Sequence, residues 1–207
     1  MANEVRDRSR EILRAEFADA AATFCAEHGF DEVTANDIAR GIGVSRATFF
    51  RYFASKEDAV VSAARGAAAR GALAQRIAET ADAAEPGTTV WAAIRTAAES
   101  MIDMADTRGD ALRARIRMIT EVPALRAHLA SQRSDDQSAV ADVLRERLVD
   151  ERASQALAAA AVAAADLAWQ EWARTPDSEL RPLLDAYFTT LGDVAATKLG
   201  PAGSRPA

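Results

Sequence analysis

The sequence predicts an all-α protein, with an N-terminal three-helix unit built around a helix-turn-helix, a helical domain behind it, and about nine helices in total. Three observations carry this reading. The chain is rich in alanine, which loses no side-chain entropy in a helix, and has only 10 glycines in 207 residues. Its apolar residues recur at helical spacing, and no stretch alternates as a strand would. Thr34, Ser45 and Ser55 are helix-capping residue types that stand close together, each just before a short apolar-periodic run. With 49% apolar residues, the chain can bury a sizeable core.

The first eight residues are polar and of mixed charge, and are expected to fray. A helix begins near Ser9, with Leu13, Phe17, Ala20, Phe24 and His28 along one face. Gly29 ends it as a left-handed cap. Thr34 caps the next helix with Asp37 three residues on, the spacing of a capping box. Ile38 and Ala39 point inward from this helix, and Gly41-Ile42-Gly43 breaks it. Ser45 caps a second short helix carrying Arg46, Thr48, Phe49, Phe50 and Tyr52. Ser55 caps a third start, with Glu57 and Asp58 where the helix dipole favours acids.

From Lys56 to about Thr80 the pattern reads as one long helix, and 82–89 (DAAEPGTT) is the clearest linker. Five helices follow at 89–105, 110–120, 123–150, 153–175 and 177–199. Pro123 and Pro176 stand at helix starts, where a missing N–H costs nothing. The organisation predicted is the helix-turn-helix unit at 1–55, a helical domain at 56–200 and a disordered tail at 201–207.

Charge sharpens the N-terminal reading. The chain carries a net −6, yet the window 40–56 has four basic residues (Arg40, Arg46, Arg51, Lys56) and no acid. With that window's +4 taken from −6, the remainder stands at −10. An acidic body with one basic island repels DNA everywhere but at the island, which orients docking. Two short helices joined by a glycine-containing turn place the second helix in a major groove. Ile38, Val44 and Phe49 hold the pair together, and small Ala39 permits close approach. Arg46, Ala47 and Thr48 open the second helix, where Arg can pair with guanine and a methyl can touch thymine.

The stretch RSREILRAEFADAAATFCAEHGFDEVTANDIARGIGVSRATFFRYFASKEDAV resembles the N-terminal domain of the TetR family. The resemblance rests on a first helix ending in Gly-Phe, then T-x-x-D-I-A, G-V-S-x-x-T, a Y-F pair and S-K-E, in order and at the right spacings. It covers about a quarter of the chain. It implies DNA contacts at Thr34, Asn36, Ser45, Arg46, Ala47, Thr48, Tyr52 and Lys56, with Thr34, Tyr52 and Lys56 on phosphate. Phe50 stands where many members have Tyr, so it offers apolar contact only. The resemblance also implies a homodimer on a near-palindromic double-stranded operator, repression as the mode of action, and release by a small-molecule effector.

Behind the reader, the last two helices are the expected dimer interface, with Leu157, Trp169, Trp172, Leu183, Leu184, Phe188 and Leu191 as anchors. Trp172 fits the core of one subunit equally well. An effector pocket is expected among Trp91, Ile94, Met101, Met104, Leu112, Ile116, Ile119 and Leu125, residues that ordinary core packing would also explain. Arg113, Arg115 and Arg117 form either a solvated face or a site for an anionic ligand. The segment RARIRMITEVPALRAHLASQ loosely resembles TetR members that sense acyl-CoA-type ligands, so a hydrophobic or acyl-CoA-like effector is the expectation.

Other chemistry is not encoded. There is no metal-ligand spacing, no Cys/His nucleophile pair, no phosphate-binding glycine loop and no G-x-S-x-G, so neither enzyme activity nor a cofactor is expected. Cys25 stands alone, which suits a reducing cytoplasm, and is read as a small buried hydrophobe. No apolar leader or membrane span is visible, and a cytoplasmic location is expected. Two further readings stay open. One is a dimeric DNA-binding regulator with no small-molecule effector, controlled by abundance or a protein partner. The more remote one is a helical enzyme.

Overall fold

A computed structural model describes residues 2–65, 72–99, 102–147 and 150–194; some helix side chains within these spans, Met104 among them, fall outside the description. The described residues form ten α-helices: α1 Ala2–His28, α2 Ala35–Gly41, α3 Arg46–Tyr52, α4 Lys56–Arg65, α5 Ala72–Asp82, α6 Val90–Ala98, α7 Ile102–Glu121, α8 Pro123–Arg145, α9 Glu151–Arg174 and α10 Leu180–Val194. The all-α expectation therefore holds.

Local chemistry sets most helix ends. Gly29 leaves α1 at φ +84°, and Gly43 turns the chain between α2 and α3 at φ +74°, a region that L side chains rarely enter. The Thr34–Asp37 capping box starts α2, and the Ser45 hydroxyl starts α3 by accepting from Thr48 N–H. The Asp58 N–H donates to the Ser55 hydroxyl, so the third capped start also forms. Pro123 opens α8 as expected.

Several boundaries differ from the sequence reading. α1 runs back to Ala2 instead of fraying before Ser9. No glycine or proline interrupts residues 2–28, so nothing stops helix propagation there. The expected helix at 89–105 ends as α6 at Ala98, and α7 starts at Ile102. Gly109 then kinks α7 with φ 41° and ψ −124°, at the gap read between 105 and 110. Pro176 does not open a helix. It lies in the turn between α9 and α10, where Asp177 takes φ 59°. Of the long helix expected from 56 to 80, α4 and α5 are the described parts; its middle, 66–71, lies outside the described residues, as does 195–207 with the expected tail.

The helices bury two apolar clusters. One unites α1–α4 through Ala18, Ala22, Ile38, Phe49, Phe53 and Val60, and takes in Ile119 from α7 and Leu125 from α8. The other is built by α5–α10 around Ile77, Ile94, Leu112, Leu144, Trp172, Leu184 and Phe188. α9 is its axis, packing against α6, α7, α8 and α10. Its line of small residues, Ala158, Ala161, Ala164, Ala165 and Ala168, is fully or nearly fully buried and lets neighbours approach closely. α4 packs on α1, α7 and α8, and so joins the reading head to the helices behind it.

Gly41 is set by such a close approach. A Cβ added there would stand 2.2 Å from Phe24 Cε2, far inside van der Waals contact. Gly41→Ala is expected to destabilise the protein by about 1–3 kcal/mol through overpacking. Urea unfolding checks this, and Phe24→Leu in the same chain should recover part of the loss.

Candidate nucleic-acid interface

The helix-turn-helix presents an exposed face on a rigid base. Phe49 is fully buried, with its ring centroid 5.3 Å from that of buried Phe53, and this anchors α3 from beneath. Ser45, Arg46, Ala47 and Phe50 are exposed on the outer side, and Thr48 is half-buried. The Ser45 hydroxyl accepts from Thr48 N–H at 3.0 Å and donates to Thr48 Oγ1 at 2.9 Å. Both hydroxyls are therefore oriented at the start of α3. The Arg46 guanidinium lies 5.5 Å over the Phe50 ring, which holds the long side chain along the exposed face.

At the start of α2, Thr34 donates its hydroxyl to Asp37 Oδ2 at 2.6 Å and its N–H to the same oxygen at 3.0 Å. These two bonds, with Arg40 on the other carboxylate oxygen, hold the Asp37 carboxyl below the usual carboxylate range. Asn36 is exposed one residue before it. Tyr52 is half-buried, with the Phe17 ring edge-on at 5.2 Å and the Arg51 guanidinium 5.2 Å over its own ring.

Lys56 departs from the sequence reading. Its ammonium donates to the carbonyls of Phe30 at 2.7 Å and Val33 at 2.9 Å, and lies 4.2 Å over the Phe30 ring. It ties the loop between α1 and α2 to the start of α4. Two of its three N–H groups are thus committed inside the protein, so it is a strut of the reading head before it is a phosphate ligand.

Arg14, which the sequence reading missed, and Asp58, read there only as a first-turn acid, hold α3 in place. Arg14 of α1 donates from Nε to the Tyr52 carbonyl at 3.2 Å and from Nη2 to Asp58 at 3.1 Å. Asp58, only 4% exposed, also accepts from Ala54 N–H at 3.0 Å and from the Ser62 hydroxyl at 3.3 Å. His128 Nε2 of α8 stands 3.9 Å from the same carboxylate. Arg115 of α7 pairs with Asp19 of α1 at 2.7 Å. The reading head is therefore bound to α7 by an ion pair as well as by Ile119, and to α8 through Leu125.

The residues expected to line an effector pocket divide between the two clusters. Ile94 and Leu112 are buried in the α5–α10 cluster, and Trp91 and Ile116 pack against it, whereas Ile119 and Leu125 belong to the head cluster. Trp91 Nε1 donates to the Phe188 carbonyl at 3.0 Å. Met101 lies outside the described residues, as does the Met104 side chain. A helical stripe records that a residue faces inward but not which cluster it joins. Two clefts among the described residues lie elsewhere. One, about 700 Å³, lies between α1 and α3; the other, about 470 Å³, is formed by residues from Glu79 to Thr96.

The arginine run also resolves. Arg113 donates to the carbonyls of Trp172, Thr175 and Ser178 and stacks 4.0 Å over the Trp172 ring, so it caps the C-terminal end of α9. With Arg115 on Asp19, only Arg117 of the three is an exposed side chain, and no shared anion site forms. Of the expected dimer anchors, Trp172, Leu184 and Phe188 are buried in the protomer's own core and have no surface left to give a partner. Leu157, Trp169, Leu183 and Leu191 are partly buried, and Leu167 is 43% exposed on α9.

Cys25 is buried, and burial pushes its thiol up to about 11, with nearby Lys56 opposing the shift and Glu57 adding to it. A folded sample is expected to react with a thiol reagent at neutral pH only as fast as the protein opens, which the rate with and without urea would check. Among the described residues no group of His, Cys, Asp or Glu could hold a metal ion.

Comparison with known proteins gives this geometry a context. Residues 17–63 match the model of bacterial regulatory proteins of the tetR family. Residues 88–196, more than half of the chain, match the MftR C-terminal domain. The mycofactocin biosynthesis transcriptional regulator MftR of Mycobacterium tuberculosis is 45% identical over 49 residues, which are 24% of this chain and 25% of that protein. The match thus spans about a quarter of that relative's length. Among solved structures, Thermus thermophilus FadR, a TetR-family transcriptional repressor in complex with lauroyl-CoA, superposes with a TM-score of 0.54 at 22% identity, over 92% of this chain and all of that one. The fatty acid degradation regulator FadR of Bacillus halodurans gives 0.52 at 18% identity, over 93% of this chain and 97% of that one. At these identities the likeness is one of fold.

Proposed function

Because the chain belongs to the tetR family of bacterial regulatory proteins, we propose that it is a repressor that binds a near-palindromic operator as a homodimer and leaves it when a small effector binds. As a member of that family it is a transcriptional regulator and not an enzyme. The observation that carries the reading is the outer face of α3, where Ser45, Arg46, Ala47 and Phe50 are exposed above a buried Phe49. Asn36, Thr34, Thr48 and Tyr52 flank that face as backbone or base contacts, and Lys56 keeps at most one N–H for phosphate. Two such heads fit successive major grooves when held about 34 Å apart.

The dimer contact in this proposal is the outer side of α9 and α10, with Leu157, Leu167, Trp169, Leu183 and Leu191 supplying the apolar area. The division of labour is 1–55 for DNA and 56–200 for effector and dimer, with 201–207 as a tail. The protein works in the cytoplasm, beside the chromosome; no helix among the described residues is long and apolar enough to cross a membrane. The effector is an apolar, acyl-CoA-like molecule, a reading supported by fold likeness to a FadR bound to lauroyl-CoA.

A second reading, a regulator without a small-molecule effector, has one observation in its favour. The described candidate pocket residues pack against protein in two separate clusters. Footprinting of the full-length dimer on DNA around its own gene, with and without lauroyl-CoA, separates the two. A protected palindrome released by lauroyl-CoA supports the first reading. Protection unmoved by any ligand that co-purifies with the protein supports the second. A folded dimer that protects no sequence overturns both.

A further inference from the structure

The opening turns of α1, which the reading head's own core does not use, meet the far end of α3. Arg6, Ser9, Arg10 and Leu13 lie at the i, i+3, i+4, i+7 positions of one helix face. With Arg51 and Tyr52 they line the cleft of about 700 Å³ between α1 and α3. An Arg10 Nη donates to the Arg51 carbonyl at 3.5 Å, which ties the two helices together at the cleft. Arg6, Arg10 and Arg51 are all exposed, and no carboxylate stands among the six lining residues. Leu13 and Tyr52 bring apolar surface to the same cleft beside the three arginines.

Three guanidinium groups at one open cleft, in a chain of net −6, form a site for an anion with several charges spread along it. The cleft adjoins the exposed face of α3, because Arg51 follows Phe50 directly and both are exposed. We propose that Arg6, Arg10 and Arg51 grip successive phosphates of the duplex strand that flanks the sequence read by α3. The first helix then extends the footprint outward from each half-site without reading sequence. A nucleic-acid backbone suits these arginines better than a free anion does: the cleft is open and continues from the exposed face of α3, and a duplex strand carries one phosphate per about 3.4 Å of helix axis. The proposal rests on α3 being the helix that enters the major groove.

The test is the salt dependence of duplex binding by the full-length protein, for wild type, Arg6→Ala/Arg10→Ala and Arg6→Lys/Arg10→Lys, on operator and scrambled duplexes. The alanine pair should weaken both duplexes by the same factor and lower the slope of log K against log salt by about 1.8 per protomer, about 0.9 for each phosphate no longer neutralised. The lysine pair should keep the wild-type slope, because charge alone is required. A wild-type slope in the alanine pair overturns the proposal while leaving the DNA-reading role of α3 intact. A lysine pair that loses as much as the alanine pair also overturns it, since the arginines would then act through structure. If wild type binds no duplex, this inference and the reading beneath it fall together.

Discussion

Asp58→Ala is expected to lower stability by about 3–5 kcal/mol, the cost of removing one partner from a buried ion pair. The carboxylate is only 4% exposed and gathers three donors from three places: Arg14 on α1, Ala54 N–H in the loop before α4, and Ser62 on α4. Alanine would strand a half-buried guanidinium and a backbone N–H at once. It would also free Arg14 from the position in which its Nε holds the Tyr52 carbonyl at the end of α3. DNA affinity should therefore fall further than the unfolded fraction alone explains. Asp58→Asn keeps an oxygen for Ala54 N–H and should lose less. Urea unfolding of Asp58→Ala, Arg14→Ala and the double variant gives the coupling energy. If the single losses simply add, Arg14 and Asp58 do not act as a pair, and α3 is held by other means.

The contrast between Thr34 and Lys56 explains which parts of the site were legible in the sequence. The Thr34–Asp37 and Ser45–Thr48 bonds join residues three apart, so spacing alone predicts them. Lys56 meets Phe30 and Val33, Arg14 meets Asp58 44 residues away, and Arg113 reaches the end of α9, about 60 residues on. A long cationic side chain in a motif suggests an external anion, and only the fold reveals a carbonyl or carboxylate nearer to hand. The same limit separates Ile119 and Leu125 from Ile94 and Leu112: all four read as inward-facing, and only packing assigns them to two cores. The interface suffers likewise. Trp172 and Phe188 are the large residues that an interface would favour, yet the chain spends them on its own core, Phe188 against Trp91 and Trp172 beneath Arg113. What remains for a partner, Trp169 and a few leucines, is partly covered.

At the DNA, Arg46→Ala should have the largest effect on sequence preference. Arg46 is exposed in the first turn of α3, and its guanidinium is held along the helix by the Phe50 ring 5.5 Å away. A guanidinium fixed in this way loses less freedom when it pairs with the two major-groove acceptors of a guanine. Its removal should cost about 1–3 kcal/mol at one base pair of each half-site and flatten the preference there, while other positions keep theirs. Arg46 carries no buried contact, so stability should stay within about 0.5 kcal/mol of wild type. Phe50→Ala probes the same pair from the other side. It leaves the guanidinium in place and removes its support, so affinity should fall with the preferred base unchanged. Selection of bound duplexes from a randomised half-site by the three proteins distinguishes these outcomes. An unchanged preference in Arg46→Ala would assign base reading to Ser45, Ala47 or Thr48 and leave Arg46 as one more phosphate-facing cation. Relaxed preference in both variants at the same base pair would instead establish the stacked pair as the reading unit, with the Phe50 ring in the place where a tyrosine hydroxyl would have sought phosphate.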